Sequence, residues 1–302
     1  MDLKGVHFLL TYKCDSECDH CFVWSSPDSK GTFTMSQIRT ILAEARKLGS
    51  VRHIAIEGGE PFLFYPIMTK TVEEATAMDF HVEILSNCYW ATDPEDALEW
   101  LAPIAKAKDV ELSLGSDLYH GQDWQTDVVR NAVKAAEALG IKAGVISVKK
   151  PNTETPTQNM IGGTKADFWE LMYRGRAVSK LADKAEKKPW QEFTKCPFEK
   201  FEQQERVHVD PLGNVHVCQG ISIGNAWKRL FSEIIREFKP HENPILEPLI
   251  KGGPAALARK FGLASQGFYA DACHLCYAIR LSLRSQFPEI LTPNQMYGES
   301  DV

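Results

Sequence analysis

The sequence predicts an α/β chain built on a parallel sheet. Two observations predict it. Through the first half, short apolar runs alternate strictly with helix-period segments. The repeat is about 30 residues, the length a βαβ crossover needs. Five such repeats exceed a small doubly wound domain and stop short of eight-fold closure, so a partial barrel or an open parallel sheet is expected.

The predicted strands are Val6–Thr11, His53–Ile56, His81–Leu85, Val110–Leu114 and Lys142–Val148. Helices are predicted at Met35–Leu48, Ile67–Met78, Pro94–Ala107 and Trp124–Leu139. Asp93 caps the third of these, with Pro94 in its first turn, and Gly140 closes the fourth. Residues 151–166 are a polar loop with or without a sixth strand, and a helix is expected over about Asp167–Lys187. Val207–Val217 then alternates around Asp210–Asn214 and reads as a hairpin. Asn225–Phe238 and Pro254–Phe261 read as helices. A domain boundary is placed near residue 190.

The 302 residues suggest two domains, or one barrel-sized domain with an appendage. With 44% hydrophobic and 25% charged residues, disorder and collagen-like structure are excluded. A net charge of −6 gives no reason to expect nucleic-acid binding. No stretch approaches the ~18 apolar residues of a membrane span, and the N-terminus lacks signal-peptide architecture. A cytoplasmic protein without a membrane partner is expected, in which clustered thiols stay reduced and bind metal.

Eight cysteines are the informative feature. Cys14, Cys18 and Cys21 form C-x3-C-x2-C just after the first strand. Three thiolates on one tight loop can each hold one iron of a cubane, leaving the fourth iron open to an outside ligand. The competing readings are a zinc loop, with His20 or His53 as a further ligand at untypical spacing, or buried thiols.

The run Gly58-Gly59-Glu60-Pro61 follows the second strand, where glycines let backbone approach a ligand closely. Together with the cysteine triple and the βα rhythm, it resembles the radical S-adenosylmethionine (radical SAM) superfamily over about residues 5–150. The resemblance implies a partial (β/α)6 barrel over residues 1–190. It also implies a [4Fe–4S] cluster on the three cysteines, with S-adenosylmethionine on the open iron. An electron supplied by a donor such as a flavodoxin or ferredoxin then cleaves that cofactor to a 5′-deoxyadenosyl radical, which takes a hydrogen atom from substrate. Further cofactor contacts carried over by the resemblance are Gly58, Gly59, Glu60, Pro61, Ser86, Asn87, Ser113, Ser116, Arg130 and His20. Ser113-Leu-Gly-Ser-Asp117 departs from the family's Ser-Leu-Asp-Gly pattern by displacing the acid.

Cys196, Cys218, Cys273 and Cys276 form a second set, enough to close a tetrahedral zinc site or to ligate a cubane fully. Gly213-x4-Cys218 resembles the start of the SPASM and twitch extensions of radical SAM enzymes. With only C-x2-C following, the fit is to the shorter twitch form. That implies a small C-terminal α+β domain over residues 191–302 holding an auxiliary [4Fe–4S] cluster. Cys88 is left over.

Catalytic groups in such folds stand at the C-terminal ends of strands, which points to Asp117, Tyr119 and His120. Glu57, Tyr89, Trp90, Lys149 and Lys150 occupy similar positions. Arg174-Gly-Arg176 lines a pocket for an anionic substrate or holds the domain junction by salt bridges. The expected activity is oxidation or modification of a small molecule or a peptide. The first strand begins within ten residues of the N-terminus, so no peptide-binding domain is expected before it. That leans toward a small molecule or a peptide recruited by a separate partner. The alternative is a zinc-stabilised binding or scaffold protein without redox chemistry.

Overall fold

The computed structural model describes residues 1–117, 119–120, 127–151, 153, 160–161, 164–263 and 267–299. The chain forms two compact units. The first comprises Lys4–Cys18 and Ser25–Leu171; the second comprises Met1–Leu3, Asp19–Trp24 and Met172–Val302.

The first unit contains β1 (Gly5–Thr11), α1 (Met35–Leu48), β2 (His53–Gly58), α2 (Tyr65–Ala77), β3 (His81–Ser86) and α3 (Pro94–Leu101). It continues with β4 (Val110–Gly115), α4 (Asp127–Ala138), β5 (Lys142–Val148), β6 (Met160–Ile161) and β7 (Thr164–Trp169). The strands run in the order β1-β2-β3-β4-β5-β7-β6. All pairs from β1 to β7 are parallel, and β6 returns antiparallel on the edge. This is the expected α/β partial barrel, open rather than closed.

Burial alternates along β3 and β4, whereas β1 and β2 are buried on both faces over most of their length. Val6, Phe8, Leu10, Ile54, Ile56, Val82, Ile84, Leu112 and Leu114 are buried, as are Ile38, Ile41 and Leu42 of α1. The other face carries a polar row. His53 stacks on His81 at 5.5 Å and pairs with Glu83 at 3.3 Å. Local signals set the helix ends. Thr34 accepts from Gln37 N at 3.3 Å while Gln37 Oε1 accepts from Thr34 N at 2.9 Å, a capping box opening α1. Asp93 caps α3 as expected, accepting from Glu95 N at 2.8 Å.

Two expectations are corrected here. The helix expected over Asp167–Lys187 is the strand β7 followed by a five-residue helix. In β7, Ala166 is buried between exposed Lys165 and Asp167, a period-two pattern too short to outweigh its charged residues on reading. Pro94–Ala107 breaks after Leu101 into a 3-10 turn at Ile104–Lys106, because Pro103 cannot donate to a continuing helix. The start of the helix expected at Trp124 and most of the loop at 151–166 lie outside the described residues.

The second unit contains α5 (Arg176–Lys180), β8 (Lys188–Pro189), β9 (Arg206–Val209), β10 (Asn214–Cys218) and β11 (Ile221–Asn225). After these come α6 (Phe231–Arg236), α7 (Leu246–Lys260), β12 (Phe268–Tyr269) and α8 (Ala272–Leu283). β9, β10 and β11 form an antiparallel meander, and β8 pairs with β12. The β9–β10 hairpin is fixed by Asp210, whose carboxylate accepts from Leu212 N, Asn214 N and Asn214 Nδ2, each at 2.9 Å. β11 and the short α6 replace the single helix expected over Asn225–Phe238. α7 begins earlier than expected and is kinked at Gly252–Gly253. All eight cysteines are free thiols, and among the described residues no helix is long and apolar enough to cross a membrane.

Candidate active site

In the first unit, the C-terminal ends of β1, β2 and β3 are tied into one hydrogen-bonded cluster. The Gly58–Gly59 backbone lies directly on the chain leading to the cysteine loop. Gly59 N donates to Thr11 O at 2.7 Å, and Glu60 N donates to Lys13 O at 3.0 Å. A Cβ on Gly59 would lie 2.0 Å from Lys13 O, and one on Gly58, at φ +131°, would lie 2.5 Å from Thr11 O. Both positions therefore exclude any side chain. These glycines serve the approach of two protein segments to each other.

Glu60 turns inward and is 1% exposed. Oε1 accepts from Phe62 N and from Ser86 Oγ, both at 3.0 Å, and Oε2 accepts from Asn87 N at 2.8 Å. Burial raises its pKa to about 7, against the pull of the three donors. Pro61 opens a 3-10 turn through Phe64 that leads into α2. Ser86 is engaged on every side, also accepting from Cys88 N at 3.1 Å and Trp90 Nε1 at 2.9 Å. Trp90 in turn stacks on Phe62 at 4.5 Å.

Asn87 carries this scaffold to the cysteine loop. Its Nδ2 donates to Asp15 Oδ1 at 2.7 Å and reaches Cys14 Sγ at 3.9 Å. Cys14 and Cys18 are each 7% exposed. Burial pushes the Cys14 thiol well up, with Glu60 and Asp15 adding to the rise. A neutral buried thiol beside carboxylates is poised to become a thiolate only when a cation takes the proton's place. The donor set thus fits iron ligation.

Asp117, 3% exposed, accepts from Tyr119 N and from the His120 ring, both at 2.9 Å. The His120 ring also hydrogen-bonds Cys18. Burial lowers the His120 pKa, but its bonds to Asp117 and Cys18 outweigh this and hold it well above the ordinary range. Tyr119 OH donates to Lys149 O at 3.2 Å, joining the ends of β4 and β5. Ser116 is fully buried, with its N–H on Ile146 O at 2.8 Å.

Two expected contacts stand elsewhere in this unit. Ser113 Oγ donates to Glu83 within the polar row of the sheet face. Arg130 lies on the exposed side of α4, paired with Asp127. His20 belongs to the second unit, which also contains Cys21. Asp15 was not singled out from the sequence; its place between two cysteines was the available signal.

The four remaining metal-type cysteines meet within the second unit. Cys196, Cys218, Cys273 and Cys276 line one pocket with Arg174 and Arg280. Cys218 ends β10, and Cys273 and Cys276 lie in the first turns of α8, which Asp271 caps by accepting from His274 N at 2.7 Å. Thiolates there face the positive end of a helix. Burial raises Cys196 to about 12, with Cys218 adding to the rise, while Glu199 N donates to its sulfur at 3.4 Å. Among the described residues, no three of these sulfurs lie within 4.8 Å of one another. Tetrahedral zinc with bonds of about 2.3 Å holds its sulfurs only about 3.8 Å apart. Arg280 was not foreseen, because its sequence context is an ordinary helix.

Comparison with known proteins agrees with this geometry. Residues 8–149 match the Radical SAM superfamily. YydG of Bacillus subtilis (strain 168), whose name assigns it to peptide biosynthesis, is 25% identical over 131 residues, 43% of this chain and 41% of YydG. The match therefore spans less than half of that relative. SuiB of Streptococcus suis bound to S-adenosylmethionine shares the fold at a TM-score of 0.51 and 15% identity, over 85% of this chain and 74% of SuiB. SuiB bound to its precursor peptide SuiA gives a TM-score of 0.56 at 15% identity, over 90% and 76%. The stretch that matches the radical SAM superfamily holds Cys14, Cys18 and Cys21 together with the Gly58–Pro61 run.

Proposed function

We propose that this chain is a radical SAM enzyme that modifies a peptide, with a second [4Fe–4S] cluster on Cys196, Cys218, Cys273 and Cys276. The radical-forming cluster is assigned to Cys14, Cys18 and Cys21. When bound, that cluster and S-adenosylmethionine supply a 5′-deoxyadenosyl radical that removes a hydrogen atom from substrate. In this reading Gly58–Pro61, Ser86 and Asn87 shape the cofactor's seat, Asp117 holds His120, and His120 holds Cys18. The single observation that carries the reading is the hydrogen-bonded chain from Glu60 through Asn87 to Asp15 and Cys14. It ties the glycine run and the end of β3 to the cysteine loop.

A peptide is favoured over a small molecule by the peptide-biosynthesis name of YydG and by the precursor peptide bound to SuiB. The resemblance of Gly213-x4-Cys218 to the twitch extension favours a cubane over zinc at the second site. A flavodoxin or ferredoxin is the proposed electron donor.

Anaerobic reconstitution with iron and sulfide tests the assignment. Two cubanes give about eight irons per chain. S-adenosylmethionine and a reductant then yield 5′-deoxyadenosine. A colourless, air-stable zinc protein would end the proposal. Deuterium transfer from a labelled candidate peptide into 5′-deoxyadenosine would identify the substrate.

A further inference from the structure

The run Arg174-Gly175-Arg176 is held from two sides within the second unit. On one side it meets the segment Cys21–Trp24. Arg176 N donates to Cys21 O at 2.9 Å. Gly175, at φ +60°, lies so close that a Cβ would sit 2.6 Å from Cys21 O and from Phe22 Cα. The Arg174 guanidinium lies over the Phe22 ring at 5.3 Å, and that of Arg176 lies over the Trp24 ring at 5.5 Å. On the other side, Arg174 Nη1 donates to Cys218 Sγ at 3.7 Å.

The charge balance of the pocket makes this contact informative. Arg174 is 7% exposed and Arg280 is 2% exposed. Arg280 Nη1 donates to Gln219 O at 2.6 Å and Tyr297 OH at 3.3 Å, both neutral groups. The Nε of each arginine is buried without a hydrogen-bond partner. Among the described residues no carboxylate forms an ion pair with either one. Asp271 acts on Arg174 at longer range without an ion pair, and the further anions to hand for the two buried cations are the thiolates of the same pocket. A [4Fe–4S] core with four thiolates carries a net charge of about −2, which two guanidiniums neutralise.

We infer that Arg174 is a positioning residue for the four-thiolate cluster: its guanidinium raises that cluster's reduction potential and links Cys218 to the Phe22 ring. The inference rests on the proposed second cluster. A positive charge and an N–H···S bond beside a cluster favour its more negative, reduced form. Arg174 therefore makes the second cluster a better electron acceptor.

The test uses the Cys14/Cys18/Cys21→Ala variant, in which only the second cluster is present, and adds Arg174→Met or Arg174→Lys. The midpoint potential is read by EPR-monitored redox titration. Arg174→Met should retain about four irons and lower the potential by at least about 59 mV, a tenfold change in a one-electron equilibrium. Arg174→Lys, which keeps the charge and loses the planar fork, should fall between. If Arg174→Met fails to take up iron, Arg280→Met must show the same direction of shift. Unchanged potentials in all of these variants overturn the inference. Absence of iron in the parent Cys14/Cys18/Cys21→Ala protein overturns the second cluster, and the role of Arg174 with it.

Discussion

The two thiol sites are built from opposite electrostatics. In the first unit, Cys14 and Cys18 stand among carboxylates and neutral donors. Asp15 and Glu60 flank Cys14, and the amide of Asn87 links them. The pocket of the second unit has two buried arginines and a helix N-terminus facing four thiols. In the proposed reading, the three-thiolate site leaves an iron open to an outside cofactor, and acidic neighbours suit a cofactor's amino group. A site closed by four thiolates needs only its own charge balanced. The difference teaches that two sets of cysteines in one chain need not do the same work. One arrangement is suited to binding and reacting, the other to accepting charge.

The largest expected effect separates the two sites outright. Cys14/Cys18/Cys21→Ala should remove about half of the iron and abolish 5′-deoxyadenosine formation. The complementary Cys196/Cys218/Cys273/Cys276→Ala variant should remove the other half and still cleave S-adenosylmethionine. Loss of cleavage in both variants would erase the contrast.

Gly59→Ala comes next. Its Cβ would have to occupy space 2.0 Å from Lys13 O, so the segment before Cys14 must move. Iron analysis should show loss of the first cluster while the second is retained. Asn87→Ala removes the bonds to Asp15 and Cys14 without displacing backbone. A single charge-assisted hydrogen bond of this kind is worth about 1.4 kcal/mol, so the rate of 5′-deoxyadenosine formation should fall roughly tenfold.

A different kind of effect is one of stability against pH. Glu60 has its pKa raised from 4.5 to about 7 in the fold. The folded state therefore holds the proton through that interval while the unfolded chain releases it. Its contribution to stability is greatest below pH 4.5, declines as pH rises to about 7, and is constant above that. The full span is about 3 kcal/mol. Urea unfolding of the wild type and Glu60→Gln should show the difference between them shrinking or reversing from pH 5 to pH 8. A constant difference would mean that Glu60 titrates normally.

The first unit was largely legible in the sequence because its signals are local and repeated. Apolar alternation located β1 to β5 within a residue or two, and Asp93, Pro94 and Gly140 marked helix ends by their own stereochemistry. β7 was missed because only Ala166 marks its buried side among charged neighbours. The cysteine loop and the glycine run were legible because rare residues at fixed spacing leave few alternatives. The scaffold beneath them was less so. That Glu60 would hold Ser86 and Asn87, rather than face outward, depends on parallel pairing of β2 and β3. Arg130 shows the converse, for its helix was foreseen and its orientation was not. Arg280 was invisible because its role depends on residues 61 positions away.

The central claim is that seven of the eight cysteines divide into two independent iron sites. Iron and acid-labile sulfide counting, after anaerobic reconstitution of the wild type and the two cysteine-set variants, tests it most directly. The account predicts about eight, four and four irons. A wild type with about four irons, all lost from Cys14/Cys18/Cys21→Ala and all retained when Cys196, Cys218, Cys273 and Cys276 are replaced, would contradict it.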